Sequence, residues 1–357
     1  MKEKRSLCSH SPLQQGHPLP KMPCTSHGET LSMKWLHKLM LGGGAALLAV
    51  LVWKLGPAAV LERMGTLGWL WVPLILLEGL GEAMHTTAWR RCLAREHQGL
   101  GWVHVGMVRQ AGMAFNYLTP TAHMGGEVVK GMLLGDLGGG VSAATSVIVG
   151  KLALVLSQLL FVSAGCLATL WSVPIPGAVL LAWAASTGLF FLGVGAFFWL
   201  QRKGKLGVVA RALERKGLGG SPVRKAARWV SQVDTHLESF HRERPGDLVR
   251  AMGWHVAGFS CGIFQVWIYL GSTAQPSFLW TGAVIWFLGA WLDLVGFIVP
   301  AGLGVQEGSR ALIFDLLGMS GASGLALGLV LRGTKGFWAL VGLGCYLLLL
   351  RRGGRVS

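Results

Sequence analysis

Two short stretches of an otherwise apolar chain carry opposite charges beside a helix breaker. "PTAHMGGEVVKGMLL" starts at Pro120 and "PAGLGVQEGSRALIF" starts at Pro300. In each, a glutamate follows the proline by seven residues (Glu127, Glu307) and a basic residue follows it by ten (Lys130, Arg310). A carboxylate and a cation three residues apart share one helix face and neutralise each other. Set along a wet path through a membrane, the same groups can hold a charged headgroup or carry a proton, because intramembrane ionisable residues are expensive and mostly functional. Both readings stand: pairs that brace their own segments, and pairs that line a substrate path.

More charge lies inside apolar runs. Lys151 sits in "VIVGKLALVL", and Arg332 and Lys335 sit in "LVLRGTKGFW". A cation at the centre of a spanning helix costs about 2.5–3.5 kcal/mol on insertion scales, so each needs a partner. A lipid phosphate is one partner; Glu127, Glu307 and Asp293 are the internal ones. Glu78, Glu82 and His85 in "LLEGLGEAMHTTAWRR" recur at i, i+4 and i+7, one face of a helix. They read as a polar seam pairing with Lys151 or Lys335, or as a proton relay, since a histidine beside carboxylates titrates near neutral pH. A metal site is the weakest reading, because only three ligands appear and no known spacing matches. We expect neither a metal nor another cofactor. The cysteines are scattered with no C-x-x-C pair and read as small core hydrophobes.

The charged stretches need elements that break and restart. Proline ends a helix and glycine lets the chain turn, so Pro120, Gly125, Gly126 and their counterparts Pro300, Gly302, Gly304 are the expected hinges. Helices restart near Gly125–Gly126 and near Val305. Glu127 and Glu307 then occupy first turns, where free backbone N–H groups and the positive end of the helix dipole favour a carboxylate.

Composition says what surrounds them. Of 357 residues 52% are apolar and only 13% charged, against about 25% charged in soluble domains. Apolar runs at about 39–56, 67–89, 141–170, 177–200, 248–271 and 322–350 are long enough to span a bilayer. The expected fold is all-α, a polytopic membrane helix bundle. A net charge of +16 gathers in loops, the usual topology signal, and we expect no nucleic-acid partner. Lys34, Lys38, "WRRCLAR", the basic loop 201–247 and the terminal "RRGGRVS" place the N- and C-termini on the cytoplasmic side of the cell membrane. The nearly uncharged "PAAVLERMGT", "WSVPIP" and "GSTAQPS" face outward. Regions 101–138 and 278–319 must then each enter and leave on one side, from opposite faces: two re-entrant broken-helix hairpins.

The chain thus divides into a polar tail at 1–33 (disordered, or untranslated with Met33 as the start), a membrane domain at 34–351 and a basic tail at 352–357. Repeat one covers about 39–170 and repeat two about 177–350, related by inverted topology, a common plan of membrane carriers. Within the loop, Val223, Ala227, Val230, Val233, Leu237 and Phe240 fall at helical spacing with Arg and Lys between. This segment either rests on anionic inner-leaflet lipids or packs on the bundle.

"NYLTPTAHMGGEVVKGMLL" and "GLGVQEG" resemble the two signature regions of the lysylphosphatidylglycerol synthase transmembrane family, the flippase-like domain family; "GGEVVK" is most similar to its hopanoid-associated branch. The resemblance covers roughly 40–350. It implies an integral membrane protein that handles lipids and moves a polar-headed lipid between leaflets; on that reading the charged positions above, Glu127, Lys130, Lys151, Glu307, Arg310, Arg332 and Lys335, are the expected substrate contacts. Long members carry a soluble aminoacyl-transferase domain; this chain ends at Ser357 without one, so lipid aminoacylation is not expected. Two other classes remain open. An intramembrane lipid-modifying enzyme would use Glu127 and Glu307 as acid and base, although no known catalytic motif is present. A non-catalytic partner of a lipid-modifying enzyme would depend on the 201–247 loop instead.

Overall fold

The computed structural model describes residues 67–118, 125–171, 177–202, 242–273, 277–295 and 304–353, with scattered positions at 50–65 and 232–240. Pro120, Pro300, Gly302, the 1–33 tail, nearly all of the first expected span and most of the basic loop lie outside them. The described residues are helical with no strand, an all-α bundle. In chain order the helices are α1 (Trp71–Arg91), α2 (Trp102–Leu118), α3 (Gly125–Gly138), α4 (Gly140–Thr169), α5 (Gly177–Arg202), α6 (Pro245–Gly271), α7 (Leu279–Val295), α8 (Val305–Leu316) and α9 (Gly321–Gly353).

Local sequence explains several boundaries. Pro245 opens α6 with its fixed φ, and Asp247 sits in that first turn. Arg244 joins this end of α6 to the end of α1, donating to the Leu93 and Arg91 carbonyls at 2.8 Å each while its Nη2 lies 2.8 Å from the Asp247 carboxylate. Gly139, at φ 80°, makes the turn between α3 and α4. At 1.5 Å per residue, α3 and α8 (14 and 12 residues) extend only ~21 and ~18 Å, less than a hydrocarbon layer of ~30 Å. By length and composition, α4 and the Gly321–Arg351 stretch of α9 can each cross it.

Packing follows a pattern of exchange. Helix α1 packs on α2, α2 on α3, α3 on α4, α2 on α9, and α1 on α9. Exchanging α1 with α6, α2 with α7, α3 with α8 and α4 with α9 turns these into α6 on α7, α7 on α8, α8 on α9, α7 on α4, and α6 on α4, all of which occur. The contact of α1 with α6 maps onto itself and is the most extensive among the described helices. Close approaches come from small residues, as membrane helices require. A Cβ on Gly81 would lie 3.2 Å from the Gly258 carbonyl oxygen, and one on Gly328 would lie 2.8 Å from Glu307 Cα.

Apolar side chains form two buried clusters, one around Tyr269, Ile285, Phe314 and Leu325 and one around Trp89, Leu93, Val105 and Leu134. Val233, Leu237 and Phe240 join the second cluster. The described part of the amphipathic segment therefore turns its apolar face to the bundle. Outside, Leu76, Leu160, Leu189 and Leu340 are exposed, a surface that suits acyl chains.

Candidate functional site

The two glutamates stand in first turns, Glu127 in α3 and Glu307 in α8. Helix α3 starts at Gly125, where the glycine pair placed it. Gly126 itself is helical, and its role differs from a hinge. Its N–H donates to Asn116 Oδ1 at 2.8 Å, and an added Cβ would collide with the Gly112 carbonyl oxygen. Having no side chain, it lets α3 press against the backbone of α2. Gly304 keeps the turning role, at φ 75° just ahead of α8.

Glu127 contacts Lys130 on its own helix, and Lys151 Nζ of α4 lies 3.4 Å from its other oxygen. Lys130 also sits 5.4 Å from the centroid of a Trp89 ring, a cation–π distance. The Trp89 indole N–H donates to the Ser146 carbonyl at 3.0 Å, which fixes the ring. The i,i+3 pair expected in this half is present.

In the second half the expected Glu307–Arg310 pair is replaced by two others. Glu307 is fully buried, contacts Arg332 of α9 with one carboxylate oxygen and accepts the Gly304 N–H with the other at 2.9 Å. Arg310 instead turns to α7 and places both terminal nitrogens on the two Asp293 oxygens, at 2.6 and 2.7 Å. The physical reason is the partner across the gap. A planar guanidinium matches a carboxylate bidentately, and α7 supplies one where α2 offers Lys130 none. The Arg332 carbonyl also accepts the Tyr117 hydroxyl at 3.0 Å, tying α9 to α2.

Between these nodes lies a cavity of about 230 Å³, walled by α1, α4, α6, α7, α8 and α9. Glu78, Glu82, His85, Gln265, Arg310 and Lys335 face it. Glu127, Lys130, Lys151, Glu307 and Arg332 do not line it. The predicted set therefore divides. Arg310 and Lys335 join the α1 face at the cavity, and the remaining charges rivet helices beside it.

Glu78, Glu82 and His85 share a helix face, yet each binds a different partner. Glu82 contacts Arg109 and accepts Gln110 Nε2 at 3.1 Å. Glu78 accepts Gln265 Nε2 at 3.1 Å. His85 Nδ1 lies 2.8 Å from His255 Nδ1 of α6, both rings buried. Of the seam expected with Lys151 or Lys335, Lys151 is committed to Glu127 and Glu82 to Arg109, while Glu78 and Lys335 face the same cavity. Arg109 was legible in principle as a lone cation inside the apolar "GMVRQAGMAF", the signal that picks out Lys151. His255 and Gln265 carry no such signal, since an isolated polar residue on an apolar helix is common.

Charge paired inside an apolar-faced helix bundle, around a polar cavity, defines a membrane domain of α-helices with a charged interior. The chain belongs to the lysylphosphatidylglycerol synthase TM region family, whose model it matches over residues 35–344. No curated protein and no solved structure matches it. Membership makes it an integral membrane protein related to lipid handling.

Proposed function

We propose that this protein moves a polar-headed lipid between the leaflets of the cell membrane, the headgroup entering the central cavity while the tails stay in the surrounding lipid. The observation that carries this reading is the cavity itself. About 230 Å³ of space faced by carboxylates, amides and two cations suits a headgroup and is too small for a whole lipid. Lys335 reaches the headgroup, and Arg310, held on Asp293, sets the cavity wall beside it. Glu127, Lys130, Lys151, Glu307 and Arg332 act on it through the hairpins they hold. Movement follows from two halves in inverted topology rocking against each other. The exchange pattern of helix packing and the short α3 and α8, each opening on a glutamate, support this arrangement. Both termini lie in the cytoplasm, and the basic residues of the 201–247 loop meet anionic inner-leaflet lipids while its apolar face holds the bundle.

An enzyme using Glu127 and Glu307 as acid and base is the weaker reading. Glu127 is held by Lys130 within α3 and Glu307 by Arg332 of α9, and neither carboxylate lines the cavity. A partner role beside a lipid-modifying enzyme has no specific contact in its favour.

The test is leaflet movement in proteoliposomes of tail-labelled lipids, wild type against Arg310→Gln and Lys335→Gln, with mass spectrometry of the same lipids. Movement suppressed by both substitutions with masses unchanged supports the reading. Changed masses, or movement indifferent to both, overturn it.

A further inference from the structure

The charges around the cavity are not equally occupied. Arg310 and Asp293 saturate each other through the two-pronged contact. Glu82 holds Arg109 and the Gln110 amide. Glu78 has only a neutral amide donor, Gln265, at 3.1 Å. Lys335, on α9, pairs with no carboxylate among the described residues, although it lies close enough to Glu78 for their charges to interact. One carboxylate and one ammonium therefore face the same cavity from α1 and α9 without closing on each other.

Resting on the lipid-transport reading above, we infer that the cavity selects a zwitterionic headgroup, its ammonium on Glu78 and its phosphate on Lys335. An isolated charge in a low-dielectric interior is costly unless paired. Glu78 and Lys335, within electrostatic reach across one cavity yet with no ion pair between them, are therefore arranged for a ligand that brings both complements at once. A headgroup with phosphate alone would satisfy Lys335 and set its negative charge against Glu78. One with ammonium alone would do the converse. A zwitterion leaves the cavity neutral, and it crosses without net charge moving through the transmembrane potential, which otherwise weighs about 2.3 kcal/mol per charge per 100 mV. The Gln265 amide, already turned to Glu78, holds that carboxylate in place, and Gln158 of α4 adds a neutral donor for phosphate or ester oxygens.

The shared chemistry is a phosphate and an ammonium a few bonds apart, found in phosphatidylethanolamine and in soluble phosphoethanolamine. Proteoliposomes would carry three lipids with the same labelled tail: phosphatidylethanolamine, phosphatidylglycerol, and a cationic lipid without phosphate. Removing the charge-assisted hydrogen bond at either pole corresponds to a drop of about tenfold or more. Wild type is expected to move the ethanolamine lipid about tenfold faster than either of the others. Glu78→Gln brings it down to the phosphatidylglycerol rate, Glu78→Asp retains part of the preference, and Lys335→Gln slows both phosphate lipids.

Because a variant can fail to fold, the wild-type protein supplies a second measurement. Soluble phosphoethanolamine should compete with the ethanolamine lipid, and glycerol phosphate should compete far less. Equal movement of phosphatidylglycerol and phosphatidylethanolamine, with equal competition by the two soluble phosphates, overturns the zwitterion and leaves lipid transport standing. Fastest movement of the cationic lipid does the same. Uptake of labelled phosphoethanolamine with no lipid moving supports the headgroup site but overturns the lipid reading. No movement and no uptake overturns both.

Discussion

Replacing Arg332 by glutamine should destabilise the protein more than any other single neutralisation in the two charged nodes. Glu307 is fully buried, with one oxygen capped by the Gly304 N–H and the other facing Arg332. Removing the cation leaves a buried carboxylate without its ion-pair partner, and breaking a buried pair from one side costs about 3–5 kcal/mol. At roughly 2–4 °C per kcal/mol for a chain of this size, the unfolding midpoint falls by about 6–20 °C. The assay is built into the protein. Cys92, Cys166 and Cys261 are free and buried and Cys345 is half-buried, so with Cys8, Cys24 and Cys345 replaced a thiol-reactive dye in detergent reports unfolding. Lys151→Gln is the internal control. The Lys151 side chain is 34% exposed and Lys130 remains on Glu127, so its removal should cost about 1 kcal/mol or less. The double variant Glu307→Gln/Arg332→Gln removes the stranded charge and should recover most of the deficit. Arg332→Gln melting together with wild type, or a double variant no more stable than the single, refutes the reasoning.

Other expectations follow from named contacts. Gly328→Ala would set a Cβ 2.8 Å from Glu307 Cα, so backbone must shift; a loss of about 1–3 kcal/mol in the same melt is expected. Gly126→Ala, aimed at the Gly112 carbonyl oxygen, should do at least as much harm, and a neutral result at both positions would mean these helices do not pack as described. Glu82→Gln strands Arg109 and should lower the midpoint, with Glu82→Gln/Arg109→Gln restoring it; an additive double variant contradicts the pair. In a background without native cysteines, Lys335→Cys should react with a small hydrophilic thiol reagent, whereas Leu74→Cys, at 0% exposure, should resist it until the protein is unfolded.

Local signals and long-range choices separate cleanly in this chain. The helix starts at Gly125 and Val305 are local facts, set by glycines, a preceding break and a first-turn glutamate, and they are readable from a dozen residues. So is the Glu127–Lys130 pair, which needs only helical spacing. The Arg310 pairing is different. The same spacing offers Glu307, but Asp293 arrives from another helix with both oxygens aligned, and no feature of the 300–315 stretch announces it. Periodicity placed Glu78, Glu82 and His85 on one face and was silent about Arg109, His255 and Gln265, because which residues oppose a helix face is decided by how helices pack. Gly126 shows the same limit from the other side: a glycine that reads as a turn serves as a contact surface for α2.

The facing histidines set a limit of their own. His85 and His255 meet nitrogen to nitrogen, Nδ1 to Nδ1 at 2.8 Å, and one shared proton must lie between those atoms. A neutral imidazole carries one N–H and an imidazolium two. The dyad therefore holds two protons in its neutral form and three when charged, and a fourth has nowhere to sit while the rings touch. Admitting it would set two donors nose to nose and push α1 from α6, along the one contact that maps onto itself when the halves are exchanged. The two halves thus meet at the centre of the bundle through a contact that holds only while a single proton is shared across it.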